Sequence, residues 1–527
     1  MDQPRNWTWQ DRAEGSIPRG TALDPTVDPI DDIRAYPTAY LPTRMLIAER
    51  LDDENGAYER DRHVLHEAAR SFGWRLHIED EDLVRSGLRA ESLPGIPGLH
   101  RAYITTPDEL EGSESPIAPD AWRVLQRARK AVGGPMPRAS LEHVLSIDPV
   151  GLNPFTRSNP FTRSNPFTRS NPVRGAGAVG TDDYLEPGRG GRQPIAWVGP
   201  GPVRGSHPKK GGRRAVIAVL DTGCGIHDWL PDSIVTRSLT LDGEPIGLIG
   251  DDDPERFPDL YGQLDGEIDA VAGHGTFIAG ILRQTAPDAD IVSIRVAGSL
   301  GVVDESVFLA SLAAVIELHR RWVAGESGGH PIDVLNLSLG YYHETPTDGL
   351  FSLTLYDLLR TARETGMVVV CSAGNDAVDR PAFPASLWAW PGTDNGLHDD
   401  KGVPHVSVGA LNPSLRSLAL FSNVGPWVRT YAPGAAVVST TPAFTGGSQA
   451  ATRADFEGFD RQTVDPDDYR GGFAAWSGTS FAAPYVAGRI AAALAPSLNS
   501  ATKVPRAGVD AAVDAVLATL PPDAPLS

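Results

Sequence analysis

From Arg213 onward the chain alternates short, almost uninterrupted apolar runs with amphipathic stretches, and this alternation constrains the fold more than any other feature. The runs are Ala215–Leu220 (AVIAVL), Ile291–Val296, Val334–Leu339 (VLNLSL), Met367–Val370 (MVVV) and Val406–Gly409. Helical stripes lie between some of them, one through Phe308, Leu312, Val315 and Ile316 and another from Leu353 to Ala362. A strand with one wet face alternates apolar and polar residues, so strands that are apolar throughout must be covered on both faces. The expected fold class is therefore α/β, a doubly wound, mostly parallel sheet between helices. In such sheets the working site lies at the carboxyl ends of the strands.

Upstream the pattern changes three times. Residues 1–42, rich in Pro, Asp and Arg without periodicity, are expected to lack fixed structure. Residues 43–150 read as a small domain. Met45–Ala48 is an apolar run, and Leu65, Ala68, Ala69 and Phe72 form a helical stripe followed by Gly73. Trp74, Leu76 and Ile78 alternate as in a strand, and Leu99–Thr105 is a second such segment. Ala121, Leu125, Ala128 and Val132 make a further stripe closed by Gly133–Gly134, and Val144–Ile147 is a last strand. The order βαββαβ predicts a small α+β split-βαβ domain ahead of the larger one. Residues 151–212 then read as an extended Pro/Gly-rich linker, with three exact NPFTRS copies at Asn153–Ser158, Asn159–Ser164 and Asn165–Ser170. Its repeated Arg residues also offer cleavable sites in an exposed tether.

Composition removes several classes of function. With 47 Lys+Arg against 67 Asp+Glu the net charge is −20, a poor match to a nucleic-acid backbone. No apolar run reaches the ~18–20 residues of a membrane span, so no membrane partner is expected. The 2 cysteines, Cys224 and Cys371, cannot make a disulfide scaffold or a cysteine zinc cluster. Met1–Thr21 lacks the charged start, apolar run and cleavage site of a secretory leader, which favours a cytoplasmic location.

Three residue types that cooperate in nucleophilic catalysis sit at suggestive places. Asp221 ends the first apolar run in VLDTG, His274 lies in GHGTFIAG, and Ser480 lies in WSGTSFAAPYVAG at a helix start, with Pro484 in the first turn. A serine hydroxyl needs an imidazole to take its proton, and the imidazole needs a carboxylate to fix its tautomer. Singly, each also fits an ordinary turn, a core histidine or a helix cap.

Taken together, in the order Asp, His, Ser and with these flanks, they resemble the subtilisin-like (S8) serine peptidases. The resemblance spans roughly residues 213–500 and rests on VLDTG, GHGTFIAG, LNLSLG, VVVCSAGN, FSNVG, YAPG and SGTSFAAPYVAG. It implies that residues 213–527 are a peptidase domain hydrolysing peptide or protein substrates through an acyl-enzyme. In it Asp221 orients the base, His274 is the base and Ser480 the nucleophile. Asn375 of SAGN would donate to the oxyanion together with the Ser480 N–H. Ser338–Leu339–Gly340 would pair with the substrate as an added strand, and with Ser372–Ala373–Gly374 would flank the primary pocket. Tyr341 stands where the family usually has a second Gly, so the subsite width there is not carried over.

The same resemblance makes residues 43–150 a candidate propeptide or intramolecular inhibitor, released by self-cleavage between 150 and 212. The alternative is a regulatory module that stays attached. Two other outcomes for the larger domain are a silent peptide-binding scaffold and acyl transfer to an amine. In the family's strand order the two cysteines are not on neighbouring strands, which predicts buried free thiols. The run Asp251–Asp253 matches no EF-hand spacing, so neither a metal nor another cofactor is predicted. The stretch Ala443–Gly472, longer than expected and partly acidic, is read as a surface loop near the cleft that favours basic substrates, or as a tolerated insertion.

Overall fold

The structure is a computed structural model that describes residues 20–27, 29, 35–49, 56–88, 93, 95–107, 117–147, 184, 190–261, 268–345, 353–391, 397, 401–447 and 451–521. The NPFTRS copies lie outside the described residues. The first unit contains β1 (Thr21–Ala22), β2 (Ala39–Glu49), α1 (Ala57–Arg70), β3 (Arg75–Ile78), β4 (Gly98–Thr105), α2 (Ala121–Val132) and β5 (Ala139–Ser146). Its strands form an antiparallel sheet in the order β5-β2-β4-β3, with β1 added to β2. This is the split-βαβ arrangement expected from the element order. Thr21–Ala22 and residues 39–42, taken from the sequence as lacking fixed structure, are strand instead. The last strand also begins at Ala139, five residues earlier than the apolar pattern indicated. Glu142 and His143 interrupt that pattern, and both are buried. Helix α2 is entered by Asp120, whose carboxylate accepts the Trp122 N–H at 2.9 Å, and ends at Gly133 with φ of 72°. Met45, Ile47, Leu65, Trp74, Trp122 and Leu141 pack as this unit's own core.

After β6 (Gln193–Pro194) comes the larger unit: β7 (Val216–Asp221), β8 (Val235–Thr236), β9 (Thr240–Leu241), β10 (Glu244–Pro245), α3 (His274–Thr285), β11 (Asp290–Arg295), β12 (Val302–Asp304), α4 (Glu305–Ala324), β13 (Val334–Leu337), α5 (Leu353–Glu364), β14 (Val368–Ser372), β15 (His405–Leu411), β16 (Thr430–Pro433), β17 (Val437–Thr440), β18 (Arg453–Phe456), β19 (Phe459–Gln462), β20 (Phe473–Trp476), α6 (Thr479–Leu498) and α7 (Arg506–Leu517). Seven strands form one parallel sheet in the order β16-β15-β14-β13-β7-β11-β8.

The physical reason for the apolar runs is visible along β7. Val216, Ala218 and Leu220 face a core that includes Phe308 and Leu312 of α4 and Leu355 and Leu358 of α5. Ile217 and Val219 face the opposite core, with Phe277 and Ile281 of α3 and Val486 and Ile490 of α6. Both pleats are buried, so no polar alternation survives.

The two units share structure. Strand β12 pairs with β5, Val302 opposite Ser146 and Asp304 opposite Val144, so the first sheet continues onto the second unit. Residues 190–212, read as linker, are also part of the larger unit where they are described. β6 pairs with β20, and the Arg192 guanidinium donates to the carbonyls of Ile268, Asp269 and Ala272 at 3.0–3.1 Å while stacking 4.8 Å from the Trp476 ring.

Candidate active site

Asp221 is the last residue of β7 and His274 the first of α3, and both are fully buried. The His274 Nδ1 lies 2.7 Å from Asp221 Oδ1, which also accepts the Thr222 N–H at 2.8 Å. Two glycines allow this approach. Gly273 caps α3 at φ of 78°, and a Cβ on Gly275 would stand 2.0 Å from the Gly223 carbonyl oxygen. Around the imidazole, the Trp476 ring meets it edge-on at 5.6 Å and Phe481 lies at 5.1 Å, an apolar wall that excludes water. Among the described residues, His274 Nε2 has no hydrogen-bond partner.

Ser480 is the second residue of α6, beside the Phe481 that packs on His274. Pro484 is therefore in the second turn, not the first as the sequence suggested. Proline has no N–H for the Ser480 carbonyl four residues earlier. That carbonyl instead accepts the Ser338 hydroxyl at 2.9 Å, while Ser480 Oγ donates to the Ser338 carbonyl at 3.4 Å. Asn375 follows β14, and its Oδ1 accepts from the Thr479 N–H at 2.8 Å and the Thr479 hydroxyl at 2.9 Å. This fixes the amide with its NH2 end turned away from Thr479. The structure thus pairs Asp221 with His274 at the end of β7 and the start of α3, and joins Asn375 to the start of α6 through Thr479, next to Ser480; among the described residues no hydrogen bond links His274 to Ser480.

The two segments expected to receive substrate lie beside Ser480. Leu339 and Ala373 point into the core, so they offer backbone only, as do Gly340 and Gly374. Gly374, at φ of 100°, has the Asn423 amide 2.5 Å from where a Cβ would be. Gly340 is already paired: it exchanges hydrogen bonds of 2.9 and 3.0 Å with Ser146. The next residue, Ile147, donates to the Gly301 carbonyl at 2.8 Å. The end of the first unit therefore runs as an antiparallel strand between Gly340 and the 301–304 segment. Tyr341 packs its side chain against a residue of that same strand, its ring 4.7 Å from His143, and its hydroxyl donates to Glu305 at 3.3 Å.

Beneath this strand lies a charged cluster that no sequence motif announced. His143 of β5 places Nδ1 2.7 Å from Glu305 and Nε2 2.7 Å from Glu344, and all three are fully buried. Burial opposes the imidazolium, but the two carboxylates outweigh it and push the His143 pKa up to about 10. Glu305 and Glu344 are held below the usual carboxylate range by the neighbouring imidazoles, against their burial. Donor atoms of His143, His343 and Glu344 lie within 4.8 Å of one another, the spacing of a possible metal cage. Both nitrogens of His143 are already engaged by carboxylates, however, which a protonated imidazole satisfies without an ion.

Cys224 and Cys371 are buried free thiols, and burial pushes Cys224 up to about 12 and Cys371 upward as well, which disfavours the thiolate at both. Of the acidic run, Asp252 pairs with Arg295 at 3.4 Å and Asp253 accepts the Glu255 N–H at 2.9 Å. In the 443–472 stretch, β18 and β19 form an exposed hairpin with Phe456 and Phe459 in solvent. Its root is close to the site, since Phe444 packs against Gly273.

Sequence reasoning missed Glu255, whose buried carboxylate bonds to Thr222, Gly275 and Thr276, the residues next to Asp221 and His274. It also missed Asn423, which accepts from Asp376 N–H and Val378 N–H and donates to the Ala373 carbonyl, bracing the SAGN turn. Only Asn423 had a signal, as the Asn of FSNVG.

Comparison with known proteins bears on the same region. Residues 212–517 match the sequence profile of the Subtilase family, Peptidase S8. An "Intracellular serine protease" of Paenibacillus polymyxa is 29% identical over 293 residues, 53% of this chain and 66% of the relative. "Subtilisin-like protease 4" of Trichophyton rubrum is 29% identical over 272 residues, 50% of this chain and 54% of the relative. The match thus spans less than two thirds of either relative's length. Among solved structures, a cold-adapted subtilisin-like serine proteinase is 22% identical, covering 54% of this chain and 79% of its own, with a TM-score of 0.33. A lanthipeptide protease is 20% identical, covering 57% and 78%, with a TM-score of 0.37. No helix among the described residues is long and apolar enough to cross a membrane. Because the family profile covers more than half of the chain, the chain belongs to the subtilase family of serine peptidases.

Proposed function

We propose that the chain is a serine endopeptidase in which Ser480 is the nucleophile, His274 the general base and Asp221 its orienting carboxylate. The observation that carries this reading is the buried 2.7 Å bond between His274 Nδ1 and Asp221 Oδ1. It leaves Nε2 as the basic nitrogen. In the reaction, Nε2 takes the Ser480 hydroxyl proton as Oγ attacks the scissile carbonyl carbon. Asp221 stabilises the imidazolium, and the Asn375 NH2 and Ser480 N–H receive the oxyanion. Collapse of the tetrahedral adduct breaks the C–N bond, His274 hands its proton to the leaving amine, and water then repeats the sequence on the acyl-enzyme. The hydrogen bond from Ser480 Oγ to His274 Nε2 forms when substrate fills the site and Oγ leaves the Ser338 carbonyl.

The first unit acts as an intramolecular inhibitor in this reading. Its Ser146–Ile147 end occupies the strand position between Gly340 and Gly301 that an extended peptide would take. The stretch between 150 and 189, ahead of the part that joins the larger unit, is the substrate of self-processing. An intracellular setting, as named for the Paenibacillus relative, agrees with two buried thiols left unpaired.

A serine-reactive fluorophosphonate should label the full chain and not its Ser480→Ala variant; equal labelling of both removes Ser480 from the mechanism. The intact mass of the purified wild type, compared with Ser480→Ala, tests self-processing. Loss of the N-terminal part in the wild type alone supports it, and two full-length proteins refute it.

A further inference from the structure

We propose that Glu255 is a positioning residue of this site, which ties the Asp221 and His274 loops together and, through the Thr222 hydroxyl, sets the basicity of His274. The inference rests on the peptidase reading above and adds a second carboxyl behind Asp221.

Glu255 is buried, and each of its oxygens is committed. Oε1 accepts the Gly275 N–H at 2.9 Å and lies 2.5 Å from the Thr222 hydroxyl, and Oε2 lies 2.5 Å from the Thr276 hydroxyl. Thr222 Oγ1 in turn accepts the Gly275 N–H at 2.8 Å and lies 3.1 Å from Asp221 Oδ1, the oxygen that holds His274. Thr276 accepts the Gly225 N–H at 2.7 Å. One carboxyl therefore joins the residue after Asp221 to the two residues after His274, and the chain of contacts runs Glu255–Thr222–Asp221–His274.

The Thr222 hydroxyl has one proton and two carboxyls within reach. With Glu255 ionised, that proton goes to the nearer oxygen, Glu255 Oε1. With Glu255 protonated on Oε1, the carboxyl donates to Thr222, whose own proton then turns to Asp221 Oδ1. No bond other than these O–H contacts changes, and the proton gained by Glu255 comes from solvent. The first state sets a second negative charge behind Asp221 and raises the basicity of His274. The second removes that charge and spends part of Asp221's acceptor capacity.

Burial pushes Glu255 up to about 7, against the hydrogen bonds from Thr222 and Thr276 and with the Asp253 and Asp221 charges adding to the rise. Facing it are Asp253 from its own loop, Asp221 at the end of β7, Cys224 from the loop that follows, and His274 through Gly275, while Arg295 of β11 flanks Gly223, which Glu255 also borders. The two states of Glu255 therefore exchange near neutral pH.

The test is the pH dependence of kcat/KM for peptide hydrolysis by the full chain, with Glu255→Gln compared to wild type at each pH so that release of the first unit cancels. Glu255→Gln keeps the hydrogen-bonding shape and removes the charge. The acid-side midpoint is expected to move to lower pH by about one unit, with plateau activity kept within about tenfold. A midpoint that stays in place overturns the proposal. Thr222→Val, which takes a hydrogen bond from ionised Glu255 and so favours its neutral form, should move the midpoint in the same direction, and Thr222→Ser should restore it. If Glu255→Gln does not fold, the Thr222 pair decides alone: a midpoint unmoved by Thr222→Val overturns the proposal. A wild type without hydrolysis or Ser480-dependent labelling refutes the peptidase reading instead, so the two failures are distinct.

Discussion

Replacing His143 with Gln should loosen the strand that covers the site. In the native chain the imidazolium sits between Glu305 and Glu344 at 2.7 Å from each, with all three side chains fully buried. His143→Gln removes the cation and leaves two carboxylates in a dry pocket that one neutral amide cannot compensate. Breaking a buried ion cluster by removing one partner costs about 3–5 kcal/mol. At about 1.4 kcal/mol per factor of ten, the docked state should weaken by roughly 100- to 4,000-fold. The direct measurement is amide hydrogen exchange in a Ser480→Ala background, where no self-cleavage intervenes. The reporters are the Ser146 and Ile147 N–H groups, bonded to the Gly340 and Gly301 carbonyls at 2.9 and 2.8 Å. Their protection should fall by at least about 100-fold, while amides of β7 and β13 keep theirs. Unchanged protection at Ser146 and Ile147 would refute the reasoning, since it would mean that strand pairing holds the units together without the ion cluster.

The same cluster predicts a pH dependence. The His143 pKa is raised from 6.5 to about 10, so docked protein binds the extra proton between those values. The contribution is complete below about 6.5 and disappears as pH rises through 10, so the covering strand should exchange faster at pH 9 than at pH 7 after correction for intrinsic exchange. Asn375→Ala should lower kcat by about 10²–10³, a range established for this donor within the subtilase family. It should also reduce the melting temperature, because the buried Thr479 N–H loses its acceptor at a cost of about 1–3 kcal/mol. Gly275→Ala should yield unstable, inactive protein, because the added Cβ would lie 2.0 Å from the Gly223 carbonyl oxygen; a well-folded, active variant would contradict the geometry.

The sequence made the larger sheet legible because β7, β13 and β14 are buried on both faces, which leaves an apolar signature of the right length. Asp221, His274, Ser480 and Asn375 stood out as candidates because each lies in a short block with glycine neighbours, and at Gly273, Gly275 and Gly374 the backbone geometry or a close approach calls for the glycine. Glu255 was not, since it lies on an irregular loop 19 residues before His274 and is defined only by the tertiary contacts of Thr222 and Thr276. His143 was hidden for a related reason. A lone histidine in a strand carries no sign of its partners, here Glu305 and Glu344, more than 160 positions away. The position of Pro484 was misjudged because helix α6 starts at Thr479, and only the Ser338 contact explains how the freed carbonyl is satisfied.

The seat of Arg192 fixes where the larger unit begins. Its guanidinium props the loop that leads into His274, and β6 is stitched to β20, whose Trp476 borders the imidazole. A nick between residues 147 and 190 would therefore separate a fragment carrying Ser146 and Ile147 yet leave this brace in place. Trimming to Arg213, the boundary that apolar patterning suggests, would remove a support of His274 itself.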